Sequence, residues 1–247
     1  MTTTGTSTNA SPHGATGGRP NRTQGGPPLA LLAGLSLLLL FAGLAVSAAL
    51  GGVIPSPFAD PSVIGAYFAG EPDAVRASAV LLFASAVPLA LFAATVSSRL
   101  RALGVTAPGA TIALAGGMLS AGMLSGSALL GWVLSRPAVR VEPAQVRALH
   151  DLSFLTGGVA HVVFLGLLIA GTAVPGLLLG LLPRPVAIAG LVIAALAELA
   201  TVALIWDQAA VLLPIARFPG LLWLTVASFL LTRTRPRRTD TVASTTG

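Results

Sequence analysis

The chain has 247 residues, of which 54% are hydrophobic and only 9% are charged, and its formal net charge is +6. Because soluble globular domains carry about 25% charged residues, this composition excludes an ordinary water-soluble domain. The chain has no cysteine, which excludes disulfides, thiolate metal sites, iron–sulfur clusters and cysteine nucleophiles. All 14 basic residues are arginine, a usage that, with abundant Ala, Gly and Pro, indicates a GC-rich coding sequence and a bacterial source.

Small and polar residues fill both ends of the chain. Residues 1–28 and 232–247 hold almost no large apolar side chains. Such segments cannot bury enough apolar surface to offset the entropy lost on ordering. We therefore predict two disordered cytoplasmic tails, the second of them basic.

Six hydrophobic runs lie between these ends. About 20 apolar residues are needed for a helix to cross roughly 30 Å of hydrocarbon. The runs are apolar all round and lack the alternation of barrel strands. We predict an all-α polytopic bundle within residues 29–231, with turns or flexible loops between the spans. The predicted spans are residues 29–54, 77–97, 110–134, 152–174, 185–206 and 211–231.

The first run also has a feature of a signal peptide, since Val46-Ser47-Ala48 resembles a cleavage site. However, the run exceeds the usual 7–15 apolar residues, and a long tail precedes it. We interpret it as an anchoring helix.

The distribution of arginine predicts the orientation. If the N-terminus is cytoplasmic, nine arginines fall in cytoplasmic segments and four on the other side, with Arg217 inside a span. Basic residues accumulate on the cytoplasmic side. We therefore expect a plasma-membrane protein with both termini in the cytoplasm, and the lipid bilayer is its expected surrounding partner.

The third span is rich in small residues four positions apart. Gly122 and Gly126 form a GxxxG pair, and Gly117 and Ala121 form a similar small pair. Small residues let helix backbones approach closely in lipid. We expect packing within the bundle, with a homodimer seam through this helix as the alternative.

Three ionisable residues lie well inside the predicted spans: His161, Glu198 and Arg217. At 1.5 Å per residue they lie about 13, 12 and 9 Å from the outer ends of their helices. An intramembrane charge is costly and usually finds a partner inside the bundle. We predict a polar network in which Glu198 pairs with Arg217 and His161 lies nearby. The alternative interpretation is a structural role in helix packing, or an Arg217 side chain that snorkels to the surface.

Enzymatic signatures are lacking in the sequence. The three histidines form no metal-binding cluster, and the spacing of His150 and His161 would suit haems only with axial partners that the chain lacks. The glycine–serine setting of rhomboid-type proteases around Ser125 or Ser127 is missing. No nucleotide-binding loop or nucleic-acid-binding patch occurs. We expect no enzyme activity, no metal, no cofactor and no nucleic-acid partner.

The last third of the chain, from His150-Asp151-Leu152-Ser153-Phe154 through Arg217-Phe218-Pro219-Gly220-Leu221-Leu222-Trp223, resembles uncharacterised six-span bacterial integral membrane proteins. The resemblance implies a multi-pass plasma-membrane protein and brings no catalytic residues. The expected function is structural, accessory or sensory. The alternative is a small transporter or channel with a proton- or anion-responsive site, whose substrate the sequence does not identify.

Overall fold

The computed structural model describes residues 28–106 and 108–233. The regular secondary structure of this part is helical, and six segments are long and apolar enough to cross a membrane. The predicted all-α multi-pass bundle is therefore confirmed. The two predicted tails lie outside the described residues, except for Pro28, Thr232 and Arg233, and the last two belong to the final helix.

The helices in the described ranges are α1 (Leu29–Gly51), α2 (Pro61–Gly70), α3 (Pro72–Ala102), α4 (Gly109–Leu134), α5 (Pro137–Arg140), α6 (Pro143–Phe154), α7 (His161–Leu178), α8 (Arg184–Leu199) and α9 (Leu212–Arg233). A π-helical turn, Leu155–Ala160, joins α6 to α7 without a break. Two 3₁₀ segments, Ala200–Leu204 and Asp207–Val211, lie between α8 and α9. The last span is not broken at proline, because α9 runs through both Pro214 and Pro219.

Two stretches predicted as loops contain helices. Residues 55–76 include α2 and the start of α3, and residues 135–151 include α5 and most of α6. Each of these four helices has a proline in its first turn, where the missing N–H costs no intrahelical hydrogen bond. Hydropathy locates the hydrocarbon-crossing part of a chain, so it misses polar turns that extend a helix beyond it.

The membrane-crossing helices form a closed ring. Along the ring α1 packs against α3, α3 against α4, α4 against α7, α7 against α8, α8 against α9 and α9 against α1. An even number of crossings puts residues 28 and 233 at one end of the bundle. The other end carries α2 and α5, and we name it the α2 end. The half of the bundle away from the α2 end is filled by fully buried side chains that include Leu89, Phe92, Leu168 and Leu224.

Pairs of polar side chains join neighbouring helices through hydrogen bonds in both directions. Between α1 and α3, Ser36 Oγ donates to the Ser85 carbonyl at 3.0 Å, and Ser85 Oγ donates to the Ser36 carbonyl at 2.8 Å. Between α4 and α6, Ser127 Oγ donates to the Ser153 carbonyl at 2.8 Å, and Ser153 Oγ donates to the Ser127 carbonyl at 3.2 Å. Polar bonds of this kind stabilise helix pairs in lipid, where hydrophobic burial contributes little.

Candidate functional site: a cavity at the α2 end

His161 begins α7, is fully buried, and makes a reciprocal pair with Ser120 of α4. Ser120 Oγ donates to the His161 carbonyl at 3.0 Å, and His161 Nδ1 lies 3.0 Å from the Ser120 carbonyl and 2.8 Å from Ser120 Oγ. Because the hydroxyl proton is directed to a carbonyl, we assign the imidazole proton to Nδ1, which donates to Ser120. Nε2 is then an acceptor, and it is buried without a hydrogen-bond partner.

The π-helical turn brings both polar pairs of α4 into register. Ser120 and Ser127 are seven residues apart on α4, whereas their partners His161 and Ser153 are eight residues apart on the facing helix. In a regular α-helix, an eight-residue step would rotate the second side chain by about 80° from the first. A π-helical turn absorbs one extra residue. Residues Leu155–Ala160 form such a turn, so both partners face α4.

The predicted small-residue pairs of α4 divide between the interior and the outside. Gly117 packs against Ala93 of α3, and Ala121 is buried, so this pair serves packing within the bundle. A Cβ built on Gly122 or Gly126 would meet no atom within 4 Å. These two glycines therefore face away from the other helices.

α4 also approaches α7 very closely at a glycine that was not singled out in the sequence. A Cβ on Gly116 would lie 2.6 Å from the backbone nitrogen of Leu168. Only glycine permits this contact, because the backbones themselves meet there. Sequence spacing alone did not distinguish Gly116 from its neighbours.

Glu198 and Arg217 do not form the predicted ion pair. Glu198 is exposed on α8, with Oε1 3.1 Å from the point that a Cβ on Gly166 of α7 would occupy. The two ion pairs found among the described residues lie elsewhere, on the surface. Similar depth in neighbouring helices fixes the height of two side chains but not their rotation about the helix axes, and the predicted pair is not among the ion pairs of the described residues.

Arg217 and His161, by contrast, lie in the same region of the bundle. Their neighbours Ala216 and Val162 belong to one buried cluster. The Nε atom of Arg217 is buried without a hydrogen-bond partner. The structure thus brings together two of the three predicted network residues and leaves Arg217 without the expected carboxylate.

Arg217 lines a cavity of about 360 Å³ in the half of the bundle next to the α2 end. The connection between α1 and α2 covers it with Pro55 and Pro57. Most of its wall is apolar, and none of its described lining residues is acidic. The lining side chains that can form hydrogen bonds are Ser78, Ser127, His150, Ser153 and Arg217.

His150 is the residue of this cavity that the sequence interpretation missed. Its side chain is 6% exposed, its ring packs edge-on against Phe68 at 5.2 Å between centroids, and its Nε2 has no hydrogen-bond partner. The sequence does contain a pattern that points to it. His150, Ser153 and Gly157 stand at positions i, i+3 and i+7 and therefore share one face of a helix.

The chemistry that this cavity supports is the binding of an anion. Arginine is permanently protonated in proteins and offers five N–H donors. A cation held in a mostly apolar cavity is stabilised when a negative group replaces the water it has lost. Within the described part of the chain, no group of three or more metal-ligating side chains occurs.

No family model matches the sequence, and no curated protein or solved structure is significantly similar to it. The functional conclusion therefore rests on the geometry of the cavity.

Proposed function

We propose that this multi-pass membrane protein binds a negatively charged ligand inside the bundle, in a sensory or accessory role. The observation that carries the proposal is Arg217, whose Nε is buried without a partner in a cavity lined by no described carboxylate. Removing one partner of a buried charge pair is strongly destabilising, so a lone cation of this kind favours an anionic ligand. The apolar wall limits water and strengthens that attraction.

The absence of cysteine permits a direct test of the charge preference. Ser78 lines the cavity and differs from cysteine only in its Oγ atom. In the Ser78→Cys protein, we expect a negatively charged methanethiosulfonate to react faster than a positively charged one. Rates are normalised to Gln208→Cys, an exposed position outside the cavity lining. Adding Arg217→Gln should remove the preference, and an equal rate for both reagents before that change would contradict the proposal.

A transporter is the second candidate, and the π-helical turn favours it. Gly157 and Gly158 of this turn line the cavity, and π-helical turns frequently occur at functional sites. Uptake of a labelled anion into liposomes that contain the protein tests this candidate. Saturable uptake that Arg217→Gln abolishes supports transport, whereas binding without uptake supports the sensory role.

We propose no catalytic role for the Ser120–His161 pair. Both side chains are fully buried, neither lines the cavity, and the serine hydroxyl donates to a carbonyl. A labelled fluorophosphonate tests this assignment, because an activated serine would be modified. Labelling that Ser120→Ala removes would show that the pair is catalytic.

We propose that the protein lies in the plasma membrane with the α2 end outside. The support is the arginine excess in the segments opposite the α2 end, which hold nine of the 14 arginines. Of two reporters fused after Gly247, the one that functions in the cytoplasm should be active, and the one that functions outside the cell should be inactive. A reporter active only on the outer side would reverse the orientation.

We also propose that the outward face of Gly122 and Gly126 is where two copies of the chain would meet. The support is that neither glycine contacts another helix of the same chain. A cysteine at Met118, exposed on the same helix, should form a crosslinked dimer in native membranes. Gly122→Ile should abolish that crosslink, and a chain that remains monomeric would rule out the interface.

A further inference from the structure

We infer that the ligand is a single-chain amphiphile of about ten carbons with an anionic head, and that the head binds Arg217. This inference rests on the proposed function and specifies its ligand class. It depends on the wall of the cavity, its volume and the separation of its polar groups.

The wall favours a hydrocarbon chain. Large apolar side chains from six helices line it, among them Leu44, Leu82, Phe154, Leu213 and Phe218. Water in such a cavity finds few polar partners, so an apolar group displaces it favourably. A small inorganic anion would neutralise Arg217 but would leave this surface unfilled.

The volume selects one chain. An apolar cavity of about 150 Å³ holds one benzene, so by that comparison a cavity of about 360 Å³ holds roughly 12–14 carbon-sized groups. A carboxylate with about nine further carbons fills that space. A two-chain phospholipid is several times too large to enter completely.

Arg217 and His150 lie at different depths along the cavity wall. Gly158 and Leu213 share one level, since a Cβ on Gly158 would lie 3.5 Å from a Leu213 methyl group. Arg217 is about one helical turn further from the α2 end, and His150 is about two turns nearer to it. The backbones of the two residues are therefore separated by roughly 17 Å along the bundle axis, so the lining extends along the bundle and favours an extended chain.

Arg217, and not His150, is the position for the head. The guanidinium carries a permanent charge and can bind a carboxylate through two parallel hydrogen bonds. His150 has one unpartnered nitrogen, which provides a hydrogen-bonding site beneath the α1–α2 connection. The chain would lie between them along the apolar wall.

Equilibrium binding of radiolabelled decanoate to the full chain in phosphatidylcholine nanodiscs tests this inference, with empty nanodiscs subtracted. We expect saturable binding of one decanoate per chain. Decanol should bind about tenfold or more weakly because it lacks the charge. Acetate should bind at least about a hundredfold more weakly because it lacks the chain.

Variants identify the residue involved. Arg217→Gln should weaken decanoate binding about tenfold or more, and Arg217→Lys, which keeps the charge but not the paired donors, should restore part of it. Glu198→Gln is the matched control, since Glu198 is also intramembrane but lies outside the cavity lining, and it should leave binding unchanged. Size-exclusion chromatography identifies any variant that does not fold, and Arg217→Lys keeps the test decisive if Arg217→Gln fails.

The outcomes separate this inference from the proposed function. If acetate binds as tightly as decanoate and its binding needs Arg217, the proposed anion site is supported and the inferred amphiphilic ligand is ruled out. If phosphatidate binds and decanoate does not, the single-chain assignment is wrong. If decanol equals decanoate and Arg217→Gln has no effect, both proposals fail.

Discussion

Ser120 and His161 bind each other's backbone carbonyls across the interface between α4 and α7. Both side chains are fully buried, so each bond forms without competition from water. The pair fixes the start of α7 relative to α4 and thereby positions the wall of the cavity.

Ser120→Ala should destabilise the bundle by about 1–2 kcal/mol, because it removes one bond and leaves the His161 carbonyl and ring with fewer partners. Unfolding by sodium dodecyl sulfate, monitored by circular dichroism, measures the change. Ser125→Ala is the control, since Ser125 Oγ bonds only within its own helix, to Ala121. Equal effects of the two substitutions would show that the reciprocal pair contributes no special stability.

Gly116 and Gly122 should respond in opposite ways to alanine. A Cβ at Gly116 would meet the Leu168 backbone at 2.6 Å, so Gly116→Ala should cost about 1–3 kcal/mol. Gly122 has open space, so Gly122→Ala should be neutral or stabilise by up to about 1 kcal/mol through helix propensity. The midpoint temperature of thermal aggregation in detergent measures the stability of each variant. A lower midpoint for Gly122→Ala than for Gly116→Ala would contradict this packing of α4 on α7.

Glu198 should be accessible from the lipid phase. Its side chain is exposed, and neither ion pair of the described chain includes it. We expect a hydrophobic carbodiimide to label it, with Glu198→Gln as the negative control. Arg217→Gln should leave the labelling rate unchanged. An increase of several-fold in that variant would mean that Arg217 protects the carboxyl, as the original pairing hypothesis required.

Asp60 should titrate below the usual range for aspartate. Its carboxylate accepts hydrogen bonds from Ser62 Oγ at 2.6 Å and from the Ser62 backbone at 2.8 Å, and these bonds lower the pKa of Asp60. A lowered folded-state pKa means that the cap on α2 has its full effect above the unfolded pKa of about 3.9 and loses it as pH falls through the folded value. Carboxyl-carbon NMR follows the titration. Ser62→Ala should raise the pKa, and an unchanged midpoint would refute this origin of the shift.

The sequence predicts the parts of the fold that depend on the surrounding lipid. It does not predict the parts that depend on how each helix is rotated about its own axis. Leu29–Gly51 was recognised because lipid requires a continuous apolar run. The polar turns of α6 were missed because Pro143–Phe154 continues a helix past the hydrocarbon. At the site, Arg217 was identified by the cost of an intramembrane charge. Its cavity partner His150 was not, because depth does not reveal which helix faces meet.

The π-helical turn has a consequence for the way this chain tolerates change. Serine bonds anchor the helix on both sides of Leu155–Ala160, so the surplus residue is confined and cannot migrate along the backbone. In a chain shortened by one of the two adjacent glycines, the anchors would be seven positions apart, as they are on α4. An uninterrupted helix could then keep both bonds to α4. Helix pairing alone therefore does not require the wider turn, and what it changes is the shape of the wall facing Arg217.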